Sequence, residues 1–220
     1  MDVPDTHAAR MFMVDSQVRP NKVNDPRILG AMRALPRERF LPSDRAPLAY
    51  ADEDVKLGGG RVLMQPMVMA RLIQLAAPRA GERALVVAAG AGYGAAILAA
   101  CGATVTALED DPALLALARA ALPALAPGVT LAEGPPEAGW PAGAPYDIVL
   151  IEGAVEDVPP ALAAQLRPGT GRLVGVRVAG GGPGQAVLGE ITPAGLAVQP
   201  VFDATITPLP ALRRVAGFVF

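Results

Sequence analysis

The chain is poor in the residue types from which much active-site chemistry is assembled. It has one cysteine, Cys101, and one histidine, His7. A disulfide framework, a Cys/His zinc site and a nucleophile activated by a core imidazole are therefore excluded. His7 lies in a polar N-terminal stretch and reads as a solvated side chain. Cys101 follows the alanine-rich run from Ala95 and reads as a small buried hydrophobe rather than a reactive thiol. Excess charge of either sign is lacking too, with 19 Lys and Arg against 21 Asp and Glu. Bulk charge thus selects neither nucleic acid nor an anionic membrane as partner. No apolar leader follows Asp2, Asp5 and His7, so the expected location is cytoplasmic.

One long uncharged stretch, Ala84 to Leu108, could in length cross a bilayer, and Gly90 and Gly94 form a small-xxx-small pair in it. Its texture argues otherwise. A β-branched run is followed by a glycine cluster, an Ala/Leu helix pattern, Gly102 and a second strand-like run, with no basic flank or aromatic belt. A folded globular chain is the better reading, since 52% of the residues are hydrophobic and only 18% charged.

Residues 1–80 read as a helical and irregular extension with a substrate-facing loop, and residues 81–220 as one compact α/β unit. Asp25-Pro26 supplies a capping carboxylate and a first-turn proline, followed by Ile28, Leu29, Met32 and Leu35 at helical spacing. Tyr50 to Gly60 reads as an exposed acidic, glycine-rich loop. A second helix starts at Gln65-Pro66, with Met69, Leu72, Ile73 and Ala76 on one face. From Ala84 the pattern alternates: strand 84–87, helix 93–100, strand 105–108, helix 112–122, strand 147–151, helix 159–166 and strand 172–176. Such repetition predicts a doubly wound, mostly parallel sheet with helices on both faces. Segments 186–191, 196–202 and 218–220 read as strands without intervening helices, an antiparallel edge. The glycine stretch 179–184 lacks a following Gly-Lys-Ser/Thr and is a turn, not a phosphate cradle.

In a doubly wound sheet the ligand lies beyond the carboxyl ends of the strands, where the first βα turn lets backbone approach it. That turn is Ala88-Ala89-Gly90-Ala91-Gly92-Tyr93-Gly94. Glu109 ends the next strand nineteen residues after Gly90, the position of an acid that accepts hydrogen bonds from ribose hydroxyls. The pair indicates an adenosine-type cofactor. Gly90, Gly92 and Ala95 also satisfy a dinucleotide pattern, which leaves an oxidoreductase open at this point, although such domains usually begin with the fingerprint strand.

Several ordered motifs resemble the protein-L-isoaspartate O-methyltransferase family: Ile28 to Pro42, Ala49-Tyr50-Ala51-Asp52, Gly60 to Ala70 with Gln65-Pro66, Gly90 to Tyr93, Gly139-Trp140-Pro141, Ala144 to Asp147, Gln165-Leu166 and Gly171 to Val174. The similarity is collinear from about residue 15 to 178. It implies a Rossmann-like class I methyltransferase fold, S-adenosylmethionine as cofactor, and methyl transfer to a carboxylate of isoaspartyl residues in damaged protein. Ala88, Gly90, Gly92, Tyr93, Glu109 and Pro135 would face the cofactor; Tyr50, Asp52, Gln65 and Pro66 would face an isoaspartyl protein or peptide.

The chain departs from the family at four places. The Gln-Thr-Ile-Ser signature is Arg61-Val62-Leu63-Met64, so both hydroxyls are gone. The acid ending the first strand is Val86, the first turn glycine is Ala88, and a Gly-Asp-Gly is Gly134-Pro135-Pro136. A carboxylate acceptor with a pKa of about 4 is already ionised at neutral pH and needs no general base, so alignment matters more than the missing hydroxyl at Met64. Arg61 is a candidate two-pronged holder of the acceptor carboxylate, against the plainer reading of a solvated loop side chain. The losses also admit a non-catalytic binding or interaction protein on this scaffold, or an enzyme acting on another carboxylate. Asp52-Glu53-Asp54 and Asp110-Asp111 could suggest a metal site, but an acidic loop and a helix cap explain them more simply, and no metal is expected.

Overall fold

The computed structural model describes residues 6–178 and 182–212. The amino-terminal part is α1 (Thr6–Met13), continued by a π turn and a 3-10 turn to Asn21, then α2 (Pro26–Ala34). A small hairpin, β1 (Val55–Gly58) and β2 (Arg61–Leu63), leads into α3 (Pro66–Ala76). The main sheet follows, with β3 (Arg83–Val87), α4 (Tyr93–Ala100), β4 (Thr104–Glu109), α5 (Pro112–Leu125), β5 (Thr130–Glu133), β6 (Ile148–Val155), α6 (Pro160–Ala164), β7 (Arg172–Arg177), β8 (Gln185–Thr192) and β9 (Gly195–Asp203).

The strand order of the sheet is β5-β4-β3-β6-β7-β8-β9. The β8 strand runs antiparallel to β7, and β9 antiparallel to β8. Because β3 pairs with both β4 and β6, the chain winds outward in two directions from it, and the crevice beyond its carboxyl end is the expected ligand position. Side chains alternate across the sheet. Val86, Leu150 and Val174 join a core with α2, α3 and α4, whereas Leu85, Val87, Val149, Ile151 and Leu173 join a second core with Leu162 of α6 and with Leu209 and Leu212. Both faces are covered, which is why β6 is apolar almost throughout.

Local signals place the helices. Asp25 accepts from the Arg27 N–H, and Asp111 accepts from the N–H groups of Ala113 and Leu114; proline follows each cap. Residues 6–80 contribute Met13, Ile28, Met32, Phe40, Met69 and Leu72 to the same core as the sheet.

Some expectations need correction. A helix precedes Asp25: α1 carries His7, and its Arg10 reaches the Arg33 carbonyl and the Tyr50 hydroxyl. Tyr50 to Gly60 is not wholly an exposed loop, since β1 falls in it and buries Val55. Strand β5 lacks a sequence signal because only Ala132 of its four residues is buried. Helix α5 continues through Pro123 to Leu125, beyond the expected end at Leu122. Strand β6 runs on to Val155 across an irregularity in its pairing with β7 between Leu150 and Ala154. The expected strand 218–220, and residues 179–181 of the glycine stretch, lie outside the described residues.

Candidate active site

The turn after β3 keeps its special backbone despite its substitution. Ala88 has φ +58°, Gly90 +57° and Gly92 +92°. A left-handed alanine is unusual, and the chain retains it where the resemblance expects glycine. The Ala89 N–H is bonded to the Leu108 carbonyl at 3.0 Å, which fixes the turn against the end of β4.

Glu109 sits at that end, fully buried. The Gly90 N–H donates to its Oε2 at 2.7 Å, and the Asp110 and Asp111 N–H groups both donate to its Oε1 at 3.0 Å. Arg61 supplies two further donors, Nη1 to Oε1 and Nη2 to Oε2, each at 2.9 Å. The same Nη2 also donates to the Ala88 carbonyl. Arg61 is 8% exposed. It is neither a solvated loop side chain nor free to hold an outside carboxylate, because the carboxylate it grips is Glu109. This is the bidentate geometry that guanidinium favours.

The β1–β2 hairpin that carries Arg61 also places Leu57 over the turn. A Cβ at Gly90 would lie 3.2 Å from Leu57 Cδ1. Pro210 covers Gly60 from the carboxyl-terminal segment, which is tied to β6 through the Leu209 N–H and the Ala154 carbonyl at 2.8 Å. Beside the ion pair lies a concavity of about 180 Å³ lined by Gly59, Arg61, Asp110, Asp111, Pro210 and Ala211. Ligand pockets commonly run from roughly 300 Å³ upward. In this conformation the site is closed to an adenosine cofactor: the carboxylate that would anchor it is engaged by Arg61 and the backbone turn is covered by Leu57.

The other expected residues are placed as follows. Tyr93 is buried at the start of α4. Pro135 is exposed, just beyond β5. Its neighbour Gly134 donates to the Glu109 carbonyl at 3.0 Å, so the loop does reach the β4 tip. Tyr50 is half-buried and points toward the amino-terminal layer, where its hydroxyl meets Glu38 and Arg10. Burial and Glu38 push its phenol upward. Gln65 and Asp52 bond each other at 2.9 Å, while the Gln65 N–H donates to Asp54 at 2.8 Å. Asp54 is thereby committed to the start of α3, which Pro66 opens. Met64 is fully buried and contributes its carbonyl rather than its side chain. Among the described residues no His, Cys, Asp and Glu group is arranged to hold a metal ion.

Two charged residues at the site escaped the sequence reading. Arg37 is completely buried and ties two expected substrate segments together, donating to the Ala49 carbonyl at 2.7 Å and the Met64 carbonyl at 2.6 Å. Its guanidinium carbon lies 4.9 Å from the centre of the Tyr93 ring. Glu152 sits in the irregular part of β6, 4% exposed, with Oε1 so close to Gly94 that a Cβ there would lie 2.2 Å away. Burial pushes its carboxyl up to about 8, partly offset by Arg61 and Arg37. Among the described residues, three buried polar atoms in this layer, Arg37 Nη1, Tyr93 Oη and Glu152 Oε1, lack a hydrogen bond of ordinary geometry. A lone carboxylate in the apolar run from Ile148 was the available signal for Glu152. Arg37, flanked by other charged residues, offered none.

The fold and the βα turn define a Rossmann-like methyltransferase architecture. A family model described as protein-L-isoaspartate(D-aspartate) O-methyltransferase matches residues 10–181. The chain is 44% identical over 193 residues to a protein-L-isoaspartate O-methyltransferase of Methylorubrum extorquens, covering 88% of this chain and 83% of that one. It is 43% identical over 190 residues to a protein of that name from Methylorubrum populi, covering 86% and 88%. Among solved structures, a protein-L-isoaspartate O-methyltransferase superimposes with a TM-score of 0.78 at 22% identity, covering 94% of this chain and 67% of that one. A Plasmodium falciparum chain described as such an enzyme, in complex with S-adenosyl-L-homocysteine, gives 0.76 at 16% identity, covering 92% and 98%. The chain belongs to the protein-L-isoaspartate O-methyltransferase family. Among the described residues no helix is long and apolar enough to cross a membrane.

Proposed function

We propose that this protein is an S-adenosylmethionine-dependent O-methyltransferase acting on the carboxylate of isoaspartyl residues in damaged proteins. The observation that carries the reading is the family match over residues 10–181, which takes in both the β1–β2 segment and the β3 turn. The site chemistry supports it. Glu109 is the carboxylate at the tip of the second central strand, and the left-handed turn from Ala88 to Gly92 runs beside it, beneath Leu57. The cofactor, when bound, supplies an electrophilic methyl group. An isoaspartyl carboxylate is already ionised and attacks without a base, so a site with no histidine suffices. The protein's task is alignment and exclusion of water, for which the Arg37 tie between Ala49 and Met64 holds the substrate-facing segments in register.

The test is methyl transfer. With methyl-labelled S-adenosylmethionine, a peptide containing an isoaspartyl residue gains base-labile label, and the same peptide with ordinary aspartate does not. Equal or absent labelling of both peptides overturns the reading.

A further inference from the structure

Resting on that reading, we infer that Arg61 determines cofactor affinity, because its guanidinium holds Glu109 where the nucleoside's sugar would bind, and the β1–β2 hairpin must withdraw before an adenosine ligand enters.

Three observations converge on this. Arg61 presents two N–H donors to the two oxygens of Glu109, both at 2.9 Å. An adenosine diol would offer two adjacent O–H donors to the same carboxylate. A carboxylate has about four acceptor positions, and three backbone N–H groups together with the two Arg61 donors already fill them, so a sugar diol can be received only where the Arg61 donors leave. Arg61 and a sugar cannot both be served. Second, Leu57 of the same hairpin covers Gly90, so withdrawal uncovers the main chain and the carboxylate together. Third, β1 and β2 form a two-stranded sheet of their own, unpaired with the seven-stranded sheet. A lone hairpin is marginally stable, so this unit is held by its contacts and can leave as one piece. Gly58, Gly59 and Gly60, at φ +109°, +56° and +75°, form its tip.

A ligand that binds only the withdrawn form sees its affinity lowered by the fraction of chains in that form. Weakening the latch raises that fraction. Glu109 stays bonded to three N–H groups when Arg61 is truncated, so its position survives the change.

The experiment is calorimetric titration of the whole chain with S-adenosylhomocysteine, comparing wild type with Arg61→Ala and with the surface control Arg119→Ala. Arg61→Ala is expected to bind at least about ten-fold tighter than wild type, and Arg119→Ala the same as wild type. Equal or weaker binding by Arg61→Ala overturns the inference while leaving the methyltransferase reading intact. No binding by any folded variant overturns the adenosine reading and the inference with it. Should Arg61→Ala not fold, hydrogen exchange on the wild type decides. Saturating ligand then speeds exchange in residues 55–63 and slows it in 88–94; no change in residues 55–63 overturns the latch.

Discussion

Arg61 and Glu109 form a two-pronged ion pair inside the protein, with both N–O distances at 2.9 Å and exposures of 8% and 0%. The partners are not equivalent. Glu109 also organises the Gly90, Asp110 and Asp111 amides, whereas Arg61 has besides it the Ala88 carbonyl and a longer ion pair, at 3.8 Å, with the partly exposed Asp110. Removing the glutamate strands a buried cation and orphans those amides. Glu109→Ala is therefore expected to cost about 3–5 kcal/mol, and Arg61→Ala distinctly less, about 1–3 kcal/mol. Urea unfolding of the two variants checks the order; a larger loss for Arg61→Ala would contradict it.

Glu152 makes stability depend on pH. Its carboxyl is raised from an ordinary value near 4.5 to about 8 by burial. A carboxyl with a raised folded pKa binds its proton more tightly when folded, so the penalty is absent below the unfolded value. It grows as pH climbs from about 4.5 toward 8. Glu152→Gln, which mimics the neutral acid, should match wild type at pH 5 and exceed it by about 1–3 kcal/mol at pH 8. Parallel melting curves across that range would refute the assignment.

Gly94 exists to make room for that carboxyl. A Cβ at Gly94 would meet Glu152 Oε1 at 2.2 Å and Met69 Sδ at 3.0 Å. Gly94→Ala is expected to destabilise by about 1–3 kcal/mol through overpacking. Adding Glu152→Ala should recover part of the loss, and a double-mutant cycle on denaturation midpoints measures it. Strict additivity would show that the two positions do not collide.

Ala88 is held at φ +58°, where a side chain is strained. Relief of about 1–2 kcal/mol is partly offset by glycine's extra unfolded entropy. Ala88→Gly should therefore stabilise the chain by about 0.5–1 kcal/mol, read from the shift in urea midpoint. A loss would mean that the methyl group packs more favourably than the backbone strain costs.

The doubly wound core was legible because each strand from β3 to β7, apart from β5, is a short apolar run, and α4 and α5 follow with clear starts at Gly92 and Asp111. The β1 strand was not, because its burial pattern places only Val55 fully inside, among acidic and glycine residues. That Glu109 meets the Gly90 turn was legible from spacing, which local chain geometry governs. That Arg61 closes on Glu109 was not, since the two lie 48 positions apart and meet only when the hairpin folds over the sheet. Arg37 escaped for the same reason: its partners Ala49 and Met64 are main-chain carbonyls, which leave no mark in side-chain pattern.

The most direct measurement is a crystal structure of the chain grown with S-adenosylhomocysteine. The expected map has the two ribose hydroxyls on Glu109, the adenosine against the Gly90 main chain, and the Arg61 guanidinium withdrawn together with Leu57. A map with Arg61 still clamped on Glu109, and the ligand absent or bound elsewhere, would contradict the shared use of that carboxylate.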